Sequence, residues 1–325
     1  MLLYSAALLA GFLILFKSAD YFVIGSVATA KNFNISPMII GLTIVALGTS
    51  APEIFVSATS SLQGNAEIAV GNAIGSNIAN IGMVLGITAM LVPLPVHREI
   101  LRQDIPIMVF VTLCAGGALL DYRLGLWDGV LLLSGLVVFM VRLIIEHRKT
   151  SSVNIAMELS ELDEIPAMKT SKSVAILAGA LLALLASSEL VVWSVTRMAQ
   201  AMGVSELVIG LTVIAVGTSL PELVVSVASA LKGQPDLALG NIVGSNIFNI
   251  LAVLSIPCIL APQEFSPELL WRDYAFMLGM TALLVIFAYG LTKARRIGRL
   301  EGGVLFIIWL TYLFWLYHTS LNRIS

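Results

Sequence analysis

The chain has 325 residues, of which 58% are hydrophobic and only 12% charged, with a formal net charge of −2 and a mean hydropathy of +0.96. That is too apolar for a soluble domain of this length and places the chain among polytopic membrane proteins, with the lipid bilayer as its surroundings. The small net charge gives no reason to expect a nucleic-acid partner. Cys114 and Cys258 sit in apolar runs with no metal or disulfide spacing, so both read as small core residues.

Taken in order, apolar stretches of membrane length run near 2–31, 36–62, 67–91, 104–120 and 125–146. After a polar linker they resume near 173–202, 205–231, 236–260, 273–290 and 301–319. The expectation is ten helices, five per half: a first repeat at 1–146, a linker at 147–172 and a second repeat at 173–325. No strong breaker interrupts the first stretch, so at 1.5 Å per residue it reaches about 45 Å and must tilt across a core of about 30 Å. Lys17 follows the first apolar run instead of preceding it, which argues against a cleaved signal peptide.

The two halves share a sequence. Residues 41–53 read GLTIVALGTSAPE and residues 210–222 read GLTVIAVGTSLPE. The offset of 169 holds through Gly75-Ser76-Asn77-Ile78-Ala79-Asn80 and Gly244-Ser245-Asn246-Ile247-Phe248-Asn249, with roughly half of positions 41–86 identical. Fourteen Lys and Arg residues fall on the linker side of the predicted helices and four, Arg123, Arg197, Arg272 and Arg323, on the other. The bias predicts a cytoplasmic linker and external termini. An odd number of helices per repeat then turns the second copy upside down, the plan of secondary transporters with a midplane site.

Helical spacing places Thr43, Ala46, Ser50, Glu53 and Ser57 on one face of the second helix, and Thr212, Ala215, Ser219, Glu222 and Ser226 on its counterpart. Asn72, Ser76 and Asn80 line the third helix, matched by Asn241, Ser245 and Asn249. Polar faces in an apolar bundle are expected to look at one another. Pro52 and Pro221 lack the N–H that would bond the carbonyls of Gly48 and Gly217, and the break is expected to loosen neighbours such as those of Ala46 and Ala215. A proline kink with Ser and Thr bonding backward is the bland account. Against it stands a carboxylate beside the kink in both halves, costly at the bilayer centre and retained chiefly where it handles ions, protons or substrate. The set is all oxygen, which suits a hard cation such as calcium. His97, His147 and His318 lie in loops or at helix ends, so zinc, copper and iron fit poorly.

The paired Gly-Thr-Ser-x-Pro-Glu and Gly-Ser-Asn-Ile-x-Asn motifs resemble the two alpha-repeats of the cation/calcium exchanger superfamily, in its bacterial sodium/calcium exchanger branch. The resemblance covers nearly the whole chain. It implies an inner- or plasma-membrane antiporter that exchanges Na+ for Ca2+ by alternating access, with no cofactor and no enzymatic chemistry, functional as a monomer. By motif position it implies Glu53 and Glu222 as central calcium ligands, with backbone carbonyls of Thr49 and Thr218. Ser50, Ser76, Ser219 and Ser245, with the carbonyls of Ala46 and Ala215, would form flanking sodium sites, and Asn80 and Asn249 would complete the ring. Some members carry aspartate where Asn249 stands, and in the potassium-dependent branch that aspartate goes with potassium use; asparagine here argues against potassium. Calcium/proton exchange is the first alternative, although proton-coupled relatives typically show Gly-Asn-x-x-Glu in the first motif. A cation channel is the second. No His-Glu-x-x-His or nucleophile–base pair suggests an enzyme.

Other acids receive plainer readings. Asp20 is expected to pair with Lys17 at i, i+3, while its counterpart Glu189 has no such neighbour and is left as a gating or proton-linked candidate. Asp104 and Asp273 are expected to be N-terminal helix charges. Glu158, Glu161, Asp163 and Glu164 in the linker lack the spacing of an EF-hand and read as a solvated connection.

Overall fold

A computed structural model of the chain describes residues 1–149, 168–203, 215–290 and 295–321. Helix α1 (Leu2–Phe33) ends at Asn34, which takes a left-handed conformation, φ 52°, to stop it. Next, α2 (Pro37–Thr49) and α3 (Ala51–Leu62) form one span bent by 42°. They lead into α4 (Ala66–Leu91), α5 (Ile100–Leu119) and α6 (Leu126–Lys149). The second half contains α7 (Thr170–Ala201), α8 (Ala215–Thr218) and α9 (Leu220–Leu231). It closes with α10 (Pro235–Leu260), α11 (Leu269–Tyr289) and α12 (Arg299–Leu321).

Among the described residues eight helices are long and apolar enough to cross a membrane, and the bent pair adds a ninth span. The chain is an all-α polytopic membrane protein. The expected helix at 205–231 is described from Ala215 onward, and the acidic cluster at 158–164 lies outside the described residues.

Close contacts give the relation between the halves. A Cβ on Gly11 would meet Val191, and one on Gly25 would meet Leu177, so α1 and its repeat counterpart α7 run antiparallel. Gly41 lies against Gly240, and Ala46 lies against Gly244, so α2 runs parallel to α10. Because α4 doubles back after α3, it opposes α10, its own counterpart. Corresponding helices thus point in opposite directions, as an odd helix count per repeat requires.

The loops repeat the exchange. Leu94 and Pro95, between α4 and α5, pair antiparallel with Ile297 and Arg296, between α11 and α12. Arg123, between α5 and α6, bridges to Glu264, between α10 and α11. These are the same two connections with the halves interchanged. At the centre stand α4 and α10, whose spans are 78% and 83% buried, against 22% for α1, α6 and α12. The two most polar-motif-rich helices are therefore the ones shielded from lipid.

Two expectations about burial need correction. Cys258 is buried, but Cys114 is exposed on α5, because apolar sequence marks a lipid-facing surface as readily as a core. Helices α5 and α11 begin four residues earlier than expected, with first turns wound as π-helix at Ile100–Asp104 and Leu269–Tyr274. Asp104 and Asp273 consequently lie inside their helices and not at the N-termini.

Candidate cation site

Ser50, at φ −80° and ψ 7°, interrupts the second span, and Ser219, at φ −89° and ψ 6°, interrupts its counterpart. Pro52 and Pro221 occupy the start of the new half-helices, where a missing N–H costs nothing. Glu53 and Glu222 fall in the first turns of α3 and α9, where unbonded backbone N–H groups favour negative charge.

The fate of the freed carbonyls is only partly as expected. The Gly217 carbonyl accepts the Ser188 hydroxyl of α7 at 3.2 Å. The Ala46 carbonyl is not released: it keeps the Ser50 N–H at 3.0 Å and accepts the Thr49 hydroxyl at 3.4 Å. The fourth-residue bond that proline removes is the one to Gly48 and Gly217, two residues beyond Ala46 and Ala215.

The packing of α4 and α10 against the breaks brings the polar residues together. Asn72 Nδ2 donates to the Glu53 carbonyl at 3.0 Å, and Asn241 Nδ2 donates to the Glu222 carbonyl at 3.3 Å and to Ser226 Oγ at 2.9 Å. Ser76 donates to Glu53 Oε1 at 3.4 Å, whereas Ser50 donates across the repeat boundary to Glu222 Oε1 at 3.2 Å. Thr49 Oγ1 donates to Asn241 Oδ1 at 3.0 Å and lies 3.5 Å from Ser245 Oγ. Thr218 sits beside the Glu53 carboxyl, Thr49 beside that of Glu222, and the two carboxyls lie within electrostatic reach of each other. Asn80 and Asn249 each open a π-helical turn at the same repeat register, Asn80–Leu85 and Asn249–Val253, a feature common at functional sites. Ala215 opens α8.

Glu53 and Glu222 are each 1% exposed, and Asn80 and Asn249 are no more so. Among the described residues, Oε2 of both glutamates and both amide heteroatoms of both asparagines have no hydrogen-bond partner. Buried polar atoms left unpaired on this scale carry a desolvation cost that a hydrogen-bonded core avoids. Carboxylate, amide and hydroxyl oxygens are the donors a hard cation replaces its water with. Among the described residues no group of three or more His, Cys, Asp or Glu side chains comes together, which keeps the set to oxygen with two carboxylates.

Other residues stand apart. Thr43 bonds back to the Ile39 carbonyl at 2.6 Å, Ser57 is turned to the Val253 carbonyl at 3.1 Å, and Thr212 lies outside the described residues. Asp20 pairs with Lys232 at 3.0 Å and not with Lys17, because the α9–α10 turn packs beside α1. Glu189 is exposed on α7, facing away from the buried Ser187 and Ser188. His97 forms a surface pair with Asp236 at 2.9 Å. Asn77 and Asn246 were not singled out by helical spacing, yet both are buried, Asn77 Nδ2 donates to the Asn246 carbonyl at 3.2 Å, and both Oδ1 atoms lack partners among the described residues. Their place inside the duplicated Gly-Ser-Asn-Ile-x-Asn motif was the signal.

A family profile described as sodium/calcium exchanger protein matches residues 3–145 and 172–318. The chain belongs to the sodium/calcium exchanger family. Relatives within reach include the putative antiporter CaxA of Alkalimonas amylolytica, 44% identical over 317 residues and covering 98% of this chain and 99% of that one. The sodium/calcium exchanger MaX1 of Methanosarcina acetivorans is 30% identical, covering 96% and 97%. Among solved structures, one of the sodium-calcium exchanger NCX_Mj superposes with a TM-score of 0.81 at 32% identity, covering 96% of this chain and 98% of that one. As a member of this family the chain is a membrane cation/calcium antiporter.

Proposed function

We propose that this family member exchanges sodium for calcium by alternating access at the site built on Glu53 and Glu222. The observation that carries the reading is the meeting of two buried carboxyls, one from each oppositely directed repeat, whose Oε2 atoms find no hydrogen-bond partner among the described residues. Glu53, Glu222, Asn80 and Asn249, with the Thr49 and Thr218 carbonyls, would hold calcium. Ser50, Ser76, Ser219 and Ser245, with the Ala46 and Ala215 carbonyls, would hold sodium beside it. Two carboxylates repel each other until a divalent ion or an equivalent monovalent load neutralises them. Either load relieves the same repulsion, so the two compete, which is the condition for antiport. MaX1 and NCX_Mj are named as exchangers of these two ions, which supports sodium as the coupling ion.

Both halves of the site come from one chain, so a monomer suffices. The basic residues put the linker at 147–172 in the cytoplasm and both termini outside a cell inner or plasma membrane. Calcium uptake into proteoliposomes, driven in turn by sodium, proton and potassium gradients, tests the proposal. Uptake is expected with the sodium gradient alone. Uptake driven by protons would replace the coupling ion, and unitary currents in planar bilayers would replace the antiporter by a channel.

A further inference from the structure

Between their close approaches at Gly11 and Gly25, α1 and α7 part on one side to leave a groove of about 560 Å3. Leu13, Ile14 and Lys17 form one wall, and Ile176, Gly179 and Ala183 the other. Among the described residues a Cβ on Gly179 would meet nothing within 4 Å, and Leu13 is 73% exposed, so the groove is open and apolar at that level. Its volume lies in the ~300–1,000 Å3 range of ligand-sized clefts.

The depth of the groove is fixed by a neighbour. Asp20 is bonded to Lys232 in the turn between α9 and α10, which lies at one surface of the helix bundle. Lys17 lies one turn nearer the midplane on α1, where its long stem carries the ammonium back toward the headgroup level at which Tyr21 sits, while Leu13 and Ala183 extend toward the midplane. The Lys17 ammonium makes no ion pair among the described residues, since the carboxylate nearest in sequence is taken by Lys232. A lysine and a tyrosine at the mouth of an apolar slot match an amphiphile with an anionic head, because long basic side chains and tyrosine settle at the interface. A soluble anion has no use for the apolar walls, and a zwitterionic lipid offers no net charge to the ammonium.

We infer that this groove holds an anionic phospholipid of the leaflet on the Lys232 side, its phosphate at Lys17 and an acyl chain along Gly179. The lipid would span the seam between α1 and α7, touching both repeats. Native mass spectrometry of the full chain, taken from vesicles of mixed phosphatidylglycerol and phosphatidylcholine, tests this. The protein is expected to retain phosphatidylglycerol in preference. Lys17→Gln should lower that retention about fivefold and Lys17→Arg should keep it. Gly179→Leu should reduce retention of both lipids, and Lys169→Gln, exposed outside the groove, should change nothing. Equal retention of the two lipids by the wild-type chain, an unchanged preference in Lys17→Gln, or displacement by inorganic phosphate would overturn the inference. No ion gradient enters the measurement, so its outcome is independent of the proposed exchange.

Discussion

Ser50 donates its hydroxyl to Glu222 Oε1 at 3.2 Å, joining the break of one repeat to the carboxyl of the other. The equivalent hydroxyl, Ser219 Oγ, has no partner among the described residues although it is equally buried. The serines of two motifs of the same Gly-Thr-Ser-x-Pro-Glu sequence are thus wired differently: Glu222 takes one from the other repeat, whereas the serine that reaches Glu53 is Ser76 of its own half. Opposite-facing repeats cannot both present the same face to one side of the membrane at once, so asymmetry of this kind is consistent with the alternating access proposed above.

The first prediction concerns the carboxylates. Glu53→Gln and Glu222→Gln preserve shape while removing the charge that, in the proposed site, would compensate a cation. Loss of an outer-shell partner costs metal sites about 10–100-fold in affinity or activity, so loss of either central carboxylate should lower calcium flux by more than ~100-fold. Flux into proteoliposomes, with circular dichroism and gel filtration to show that each variant remains folded, checks this. Normal flux in either variant removes the proposed site.

The unequal serines give a second. Ser50→Ala should destabilise the protein by roughly 0.5–1.5 kcal/mol, the net worth of an ordinary hydrogen bond, and by more when the carboxyl is ionised. Ser219→Ala removes a buried hydroxyl that bonds nothing and should be neutral or stabilising. Thermal unfolding in detergent without sodium or calcium compares the two, and equal shifts would contradict the asymmetry.

Much of this was legible before folding. The offset of 169 gave the repeat, an odd helix count gave the inversion, and carboxylates beside paired prolines marked the site. What escaped depends on distances along the chain that no local pattern encodes. Asp20 meets Lys232 only after α9 and α10 have packed beside α1, although Lys17 is the better neighbour by spacing. The Ser188 hydroxyl that takes the Gly217 carbonyl has no counterpart in the first repeat, where Ala19 stands. Cys114 was misplaced because hydropathy does not separate a lipid-facing helix surface from a core.

Helix contact supplies a third prediction. On Gly41, a Cβ would lie 2.9 Å from the Leu237 carbonyl oxygen and 3.0 Å from Gly240 Cα, both rigid backbone atoms. Gly41→Ala should therefore force α2 from α10 and cost about 1–3 kcal/mol, as overpacking does. Gly279→Ala on α11, where a Cβ would meet nothing within 4 Å, should be neutral or mildly stabilising, since alanine is the better helix former. Melting temperatures of the two purified variants test the contrast.

Topology gives a fourth. Both termini are expected outside and the linker inside, so a cysteine added at the C-terminus of an otherwise cysteine-free chain should react with impermeant maleimide from the external face only. Labelling from the cytoplasmic face would reverse the assignment drawn from the basic residues.

The last prediction concerns an ion pair within the helices. Arg142 on α6 holds Asp104 on α5 at 2.8 Å and also reaches Gln103, with Asp104 only 7% and Arg142 25% exposed. Removing one partner takes this bond from a charge that is largely shielded from water, a loss bounded above by the ~3–5 kcal/mol typical of fully buried pairs. Removing both leaves no stranded charge, so Asp104→Asn combined with Arg142→Gln should be markedly more stable than the sum of the two single losses implies. A double-mutant cycle on unfolding in detergent measures the coupling. Additive losses would mean that the pair contributes nothing beyond its separate members, and that the α5–α6 contact is held by apolar packing alone.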